Sequence, residues 1–496
     1  MPHLPKTLFA GQNPLIHSEA AHAYRGPPPH FHAHQTERFR VLKGAAVQKT
    51  TPGKTSCQYP PNSRKCWSYG YSIDTDYYQE HPHTGIVREY WWVIQNSTIA
   101  PDGYQQWALT VNGSIPGPAI EVDWGDEGVP GVTQCPIAPG ESFTYRFTAE
   151  QYGSSWYHSH FSLQLSLGLQ GPIVIHGPAT ADYDEDFGIL LMTDWSHASL
   201  FAEWWYQRVP SGPPSLANAL INGQNVFDCD TVSDPRCLGS GTRPVWHFAS
   251  GKKYRFRVVN TALYSNIRFT IDGHALAVIA ADFVPIVPYI TDHVLVAAGQ
   301  RYDVVVEANA EAGNYWLRMH WQEKCCPNDA ANNTLGIIRY DSSSKELPKS
   351  ANQVARLPDS CADEPPSKLV PWVVLEVGSP SSITSLNLAD DPKLPQPKGF
   401  MWTLNQTYQW VNFSAPTNLL LAEHDYEFPT EALVFPKAQV SMDGPPSEES
   451  WAYFVFNDIS ERNRSHPMHL HGNGFRLHQL LESGLTHISQ GTISSF

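Results

Sequence analysis

The sequence predicts an all-β protein, on three observations. Prolines and glycines, 41 and 34 in 496 residues, interrupt any long helical pattern. Aromatics make up 12% of the chain, with 16 Trp. Alternating apolar and polar runs bounded by turn residues recur along its length, as short half-buried strands require. The length exceeds one ordinary domain and fits roughly three.

Taken in order, residues 57–180 hold the alternating run Ser142-Phe143-Thr144-Tyr145-Arg146-Phe147 and the buried-strand run Gly171-Pro172-Ile173-Val174-Ile175-His176. Residues 185–345 repeat this grammar: Lys253-Tyr254-Arg255-Phe256-Arg257-Val258-Val259 alternates, Asp303-Val304-Val305-Val306-Glu307 is apolar, and Asp272-Gly273 and Ala298-Gly299 mark turns. A Ser/Pro-rich stretch, 346–399, is expected to be a linker lying over a surface. In 400–496 the strand-like Trp451-Ala452-Tyr453-Phe454-Val455-Phe456 leads to a histidine cluster. Three β-domains in series follow.

Formal charge is 33 basic against 48 acidic residues, or −15, without a basic run, which argues against nucleic acid or an anionic membrane as partner. No apolar run approaches a membrane span. A soluble acidic monomer is expected. The start, MPHLPKTLFAGQNP, lacks the apolar core of a signal peptide. Yet Asn-x-Ser/Thr sequons at Asn96, Asn112, Asn332, Asn405, Asn412 and Asn463, together with closely spaced cysteines, favour a secretory history. None of the eight cysteines forms C-x-x-C pairs of a structural zinc site. Cys57–Cys66, Cys229–Cys237 and either Cys325 or Cys326 with Cys361 make a disulfide set, leaving Cys135 and one of the adjacent pair over.

The chemistry lies in the histidines. Residues two apart on a strand share a face, so His469 and His471 in His466-Pro467-Met468-His469-Leu470-His471 can present both rings to one side. A second pair, His158 and His160, occurs in Trp156-Tyr157-His158-Ser159-His160. Neither stretch contains a carboxylate, and imidazole-only donors favour copper or zinc over magnesium or calcium. His22, His81, His83, His274 and His293 fall outside any ligand spacing and are expected to be structural. Phosphate loops and the G-x-S-x-G elbow are not found, so phosphoryl and acyl transfer have no support.

The phrases Asn112-Gly113-Ser114-Ile115-Pro116-Gly117-Pro118, GVPGVTQCPIAPGES from Gly128, WYHSHFSLQ from Trp156, GPIVIHGP from Gly171, Leu220-Ile221-Asn222-Gly223 and HPMHLHG from His466 resemble the multicopper oxidases, specifically laccases of filamentous fungi. The resemblance runs from about Cys57 to His478. It implies three cupredoxin-like β-sandwich domains, a blue type-1 copper in the third, and a three-copper cluster between the first and third. By position, His158, His160 and His471 resemble type-3 ligands, His469 the type-2 ligand and His466 a type-1 ligand. Glu203 lies roughly where the family places a carboxylate that accepts a phenol's proton. The implied reaction takes electrons singly from small phenols or aromatic amines and reduces O2 to water, and the implied location is extracellular.

Two of the family's four copper motifs are not matched. Between Trp124-Gly125-Asp126 and Glu127-Gly128-Val129 the resemblance places a strand and an H-W-H-G segment, but here the flanking phrases abut, as an internal deletion near 126/127. H-C-H-x-x-x-H is not found after His478. Domains 1 and 3 are therefore expected to be incomplete and the chain as written inactive. The first explanation is an incomplete gene reading; the alternative is a non-catalytic copper-binding relative. Finally Gly26-Pro27-Pro28-Pro29-His30-Phe31-His32, Glu37 and Val41-Leu42-Lys43-Gly44 resemble the first metal motif of a cupin. About 45 residues cannot close a barrel alone, so 1–50 is expected to be a cupin-like fragment or a disordered leader.

Overall fold

The computed structural model describes residues 57–123, 136–201, 216–375, 380–390, 402–407, 451–460 and 466–469, except positions 61, 85, 87, 146, 148, 199, 264, 326 and 331. The cupin-like stretch, the junction at 126/127, Cys135, Cys326, Glu203 and His471 lie outside the described residues.

The first unit contains β1 (Ile94–Ile99) and β2 (Gln106–Val111), an antiparallel pair, and β3 (Ile120–Asp123), β4 (Gly153–His158) and β5 (Gln170–His176) in the order β3-β5-β4. The run from Gly171 is thus β5, and it is central because Ile173 and Ile175 face a core with Ile120 and Leu167. Ser142–Phe147 forms no strand among the described residues, and Phe143 is 40% exposed. Alternation assigns faces, but a strand also needs a neighbour to take its backbone groups.

The middle unit is a sandwich. One sheet has six strands, β6 (Glu185–Trp195), β7 (Asn218–Ile221), β9 (Lys253–Asn260), β11 (Leu276–Ala281), β12 (Val284–Thr291) and β14 (Arg301–Glu307), ordered β12-β11-β14-β9-β6-β7. Facing it are β8 (Val245–His247), β10 (Ile267–Ile271), β13 (Val294–Val296), β15 (Asn314–Trp321) and β16 (Leu335–Arg339), ordered β13-β10-β15-β16-β8. Period-two alternation builds the core between them: Tyr254, Phe256 and Val258 of β9 and Val304 and Val306 of β14 meet Ile267, Phe269 and Ile271 of β10. Both predicted turns form, with Gly273 at φ 72° and Gly299 at φ 82°.

The other face of β9 points Arg255 and Arg257 outward, yet both are buried because β4 of the first unit packs there. Arg257 donates to Asp186 (2.7 Å) and to the Ser154 hydroxyl (3.0 Å), and Ser154 donates to Asp303 (2.6 Å). Arg255 pairs with the same Asp303, and Arg301 Nε donates to the Ser154 carbonyl at 2.9 Å. Burial favours neutral groups, but the two arginines outweigh it and hold the Asp186 carboxyl down at about 2.

Among the described residues three disulfides form, Cys57–Cys66, Cys229–Cys237 and Cys325–Cys361, so Cys325 is the partner of Cys361. The stretch expected to be a linker holds ordered contacts. Arg268 donates to the Pro358 carbonyl (2.7 Å), Glu364 accepts from the Leu295 amide (2.9 Å) and the Trp372 indole donates to Asp74 of the first unit (2.9 Å). It also contains β17 (Pro380–Asp390), which pairs in parallel with β19 (Trp451–Asp458) and antiparallel with β18 (Trp402–Leu404). Ser-rich composition hid this strand, although Leu386 is buried and Ile383 opposes Tyr453.

Candidate metal centre

β4 is fixed twice before its histidines appear. Its start is tied through Ser154 to the buried arginine network. Further along, Tyr157 turns away from the histidine face, stacks on Trp92 at 4.2 Å and donates its hydroxyl to the Pro118 carbonyl at 2.9 Å. Glycine is required around that ring: a Cβ at Gly117 or at Gly171 would lie 2.2 Å from the Tyr157 oxygen. This is a physical reason for Gly-Pro at both places in the sequence. Burial pushes the Tyr157 phenol far above its ordinary value, so it stays protonated and donating.

The opposite face carries Trp156, His158 and, just past the strand, His160. Trp156 stacks on His158 at 4.1 Å and 24°, and His158 on His160 at 4.4 Å and 27°. The expected pairing of His158 with His160 is therefore present, in a column begun by a tryptophan. Imidazole Nδ1 of His158 lies 3.2 Å from the Ser159 carbonyl. The Ser159 hydroxyl donates to Gln164 (2.7 Å) and accepts from the Phe161 amide (3.1 Å), which holds the turn after the pair. His158 is half-buried and His160 exposed, so both remain accessible.

His466 lies in another setting. It follows β19, half-buried, with its Nε2 3.8 Å from the buried Asp458 carboxylate and its ring edge-on to Trp402 at 4.3 Å. Sequence reading found no carboxylate within the histidine cluster and missed Asp458, eight residues upstream at the end of its strand. A charged residue closing a strand that opens with six apolar or aromatic residues was the available signal. His469 is exposed. Among the described residues, no three His, Cys, Asp or Glu side chains are placed to hold one metal ion together. The donor type fits copper, while the described pair supplies only part of a coordination sphere.

The histidines expected to be structural make the following contacts where described. Nδ1 of His274 is 2.8 Å from the Asp272 carbonyl and Nε2 2.7 Å from the Tyr340 hydroxyl, and burial lowers its pKa. His293 contacts Asp292 at 2.5 Å, and His81 packs edge-on to His83. His197, which sequence reading passed over, contacts the buried Asp102 at 2.7 Å and stacks on Tyr104 at 3.9 Å, between the first and middle units.

Comparison with known proteins decides the family. Multicopper oxidase family models match residues 126–180 and 186–343. An oxidoreductase of Beauveria bassiana, OpS5, is 56% identical over 452 residues, 85% of this chain and 75% of its own length. The chain is a multicopper oxidase of the fungal laccase-like type. Laccase-2 of Botryotinia fuckeliana is 44% identical, over 87% of this chain and 76% of its own. The solved laccase of Botrytis aclada is 42% identical, with a TM-score of 0.75 over 83% of this chain and 78% of that one. Copper is the family's cofactor, and the β-sandwich architecture agrees with these relatives.

Proposed function

We propose that this scaffold serves the one-electron oxidation of a small phenol or aromatic amine with O2 as acceptor, and that the chain as its sequence stands binds copper without turnover. The observation that carries the copper reading is the His158–His160 stack, accessible at the end of a strand anchored on its opposite face. When bound, copper supplies one-electron acceptor chemistry and the place of dioxygen reduction. His158, His160, His469 and His471 are assigned to the shared cluster and His466 to the blue centre, with Asp458 steadying its ring. Glu203 is assigned to take the proton of the phenol. Lack of turnover rests on the internal junction of Asp126 with Glu127, which leaves the cluster without the two imidazoles of H-W-H-G. The protein acts as a monomer.

The division into domains belongs to the same reading: 57–180, 185–345 and 400–496, with a linker at 346–399 and a leader at 1–50. An Asn-led turn recurring at Asn112, Asn222 and Asn405, one in each domain, supports it. The disulfides support an extracellular setting.

The test is reconstitution of the purified 496-residue chain with copper, followed by metal analysis and oxygen-electrode traces with a methoxyphenol. Sub-stoichiometric copper, no oxygen uptake, and loss of copper in a His158→Ala, His160→Ala double variant are expected. Oxygen uptake would refute the lack of turnover, and unchanged copper in the double variant would refute the site.

A further inference from the structure

Asn112, Asn222 and Asn405 each follow a strand directly and open the same turn, with backbone φ of 51°, 48° and 48°. The next residue is left-handed too, Gly113 at 79°, Gly223 at 74° and Gln406 at 66°, the conformation of a type I′ turn. Paired backbone bonds close each turn, between Val111 and Ser114, Ile221 and Gln224, and Leu404 and Thr407. In all three the asparagine also reads the facing segment. Its Oδ1 accepts from the backbone N–H of Val93 (2.7 Å), Leu191 (2.7 Å) or Asn387 (2.8 Å). Nδ2 of Asn112 donates to the Trp91 carbonyl (3.1 Å), and Nδ2 of Asn405 to the Ser385 carbonyl (3.2 Å).

Two of these turns spell sequons, Asn112-Gly113-Ser114 and Asn405-Gln406-Thr407. The third, Asn222-Gly223-Gln224, has the same geometry without a hydroxyl residue, so the turn requires the asparagine and the sequon is incidental to it. In each sequon both amide atoms contact backbone groups two residues apart on one segment. The donated hydrogen is therefore on the Oδ1 side of the amide, where the sugar carbon sits in an N-glycosylated asparagine. A glycan there removes the bond to Trp91 or Ser385 and drives the sugar into the facing segment.

Asn96 differs. It lies in the middle of β1, opposite Leu109, with Asn96 and Thr98 both exposed on one face. Its amide makes no hydrogen bond among the described residues.

We propose that Asn96 carries an N-linked glycan when the chain traverses a secretory compartment, and that the sequons at Asn112 and Asn405 stay bare in the folded protein. This rests on the extracellular setting proposed above. The co-reactant is a lipid-pyrophosphate-linked oligosaccharide supplied, with its transferase, by the host. Nδ2 of Asn96 forms a bond to sugar C1, the bond from C1 to the pyrophosphate oxygen breaks, the lipid pyrophosphate leaves, and the amide releases one proton, with no change of oxidation state.

The test is expression of the full chain behind a yeast secretion leader, which makes the outcome independent of catalysis and of the chain's natural route. Site occupancy is read by glycopeptide mass spectrometry on the soluble, protease-resistant fraction, from medium or cells. Occupied Asn96 with bare Asn112 and Asn405 is expected; bare Asn96, or a glycan on either turn in that fraction, overturns the proposal. Two variants sharpen the reading. Thr98→Ala should remove one glycan's mass and leave protease resistance intact, whereas Asn112→Gln should remove no glycan mass and lose protease resistance. The reverse pattern overturns the assignment.

Discussion

The two histidine clusters are mounted differently. His158 ends, and His160 follows, a strand held on one side by buried arginines and on the other by a tyrosine seated between glycines. His466 follows β19 of a three-stranded sheet and is steadied by a carboxylate and a tryptophan edge. The first cluster depends on docking between two units, the second on its own sheet. Damage far from the rings should therefore reach the first and spare the second.

The largest effect is expected from Asp303→Ala, which leaves buried Arg255 with only the more distant Asp186 carboxylate, at 3.8 Å, and Ser154 without its acceptor. Loss of one member of a buried pair costs about 3–5 kcal/mol. Denaturant melts should show that loss, and copper uptake through His158 and His160 should fall with it. Acid supplies a related check. The Asp186 carboxyl, held at about 2 against an ordinary 3.8, contributes stability above 3.8 that is lost as pH falls toward 2.

Next comes Gly171→Ala. Its Cβ would meet the Tyr157 oxygen at 2.2 Å, backbone against a clamped ring. A cost of about 1–3 kcal/mol is expected from overpacking of this kind. Gly188→Ala, where an added Cβ meets nothing within 4 Å but φ is 73°, separates crowding from backbone strain. If both cost the same, the tyrosine clamp is not what fixes β4.

A third change alters the middle unit's stability without touching either cluster. Burial holds the Asp363 carboxyl up at about 7; a hydrogen bond from Gln300 opposes this, and Asp282 and Glu364 add to it. The folded state keeps a proton that the unfolded chain releases, so stability falls as pH rises from about 4 through about 7. Asp363→Asn should flatten that fall, gaining about 1–3 kcal/mol at pH 8 and little at pH 3.5. Equal gains at both pH values would contradict the buried-acid explanation.

The smallest effect is expected at Asp458→Ala. The 3.8 Å contact with His466 is long for an ion pair, and a change of about 1 kcal/mol is expected in the melt. A loss as large as that of Asp303→Ala would erase the contrast between the clusters.

Alternation made β9 legible, and short apolar runs made β5, β14 and β19 legible, since a strand buried on both faces reads as a continuous apolar run. The anchors of β4 were not legible for the same reason. On β9, Arg255 and Arg257 occupy outward positions that read as solvated, and only the docking of β4 buries them. That is tertiary information with no local signal. Tyr157 sits in plain view between Trp156 and His158, but its glycine clamp comes from residues 40 positions back and 14 ahead. β17 was lost in Ser-rich composition. Cys325 and Cys326 are equivalent by spacing, so geometry had to choose between them.

The bond between Cys325 and Cys361 closes a loop over exposed basic residues. Lys349 and Arg356 both lie within it, and the Lys349 side chain is 90% exposed. Tryptic cleavage at either leaves two polypeptides still joined covalently. Such a molecule runs as one band on a non-reducing gel and as two once thiol is added, so intact migration without reductant says nothing about whether its backbone is whole.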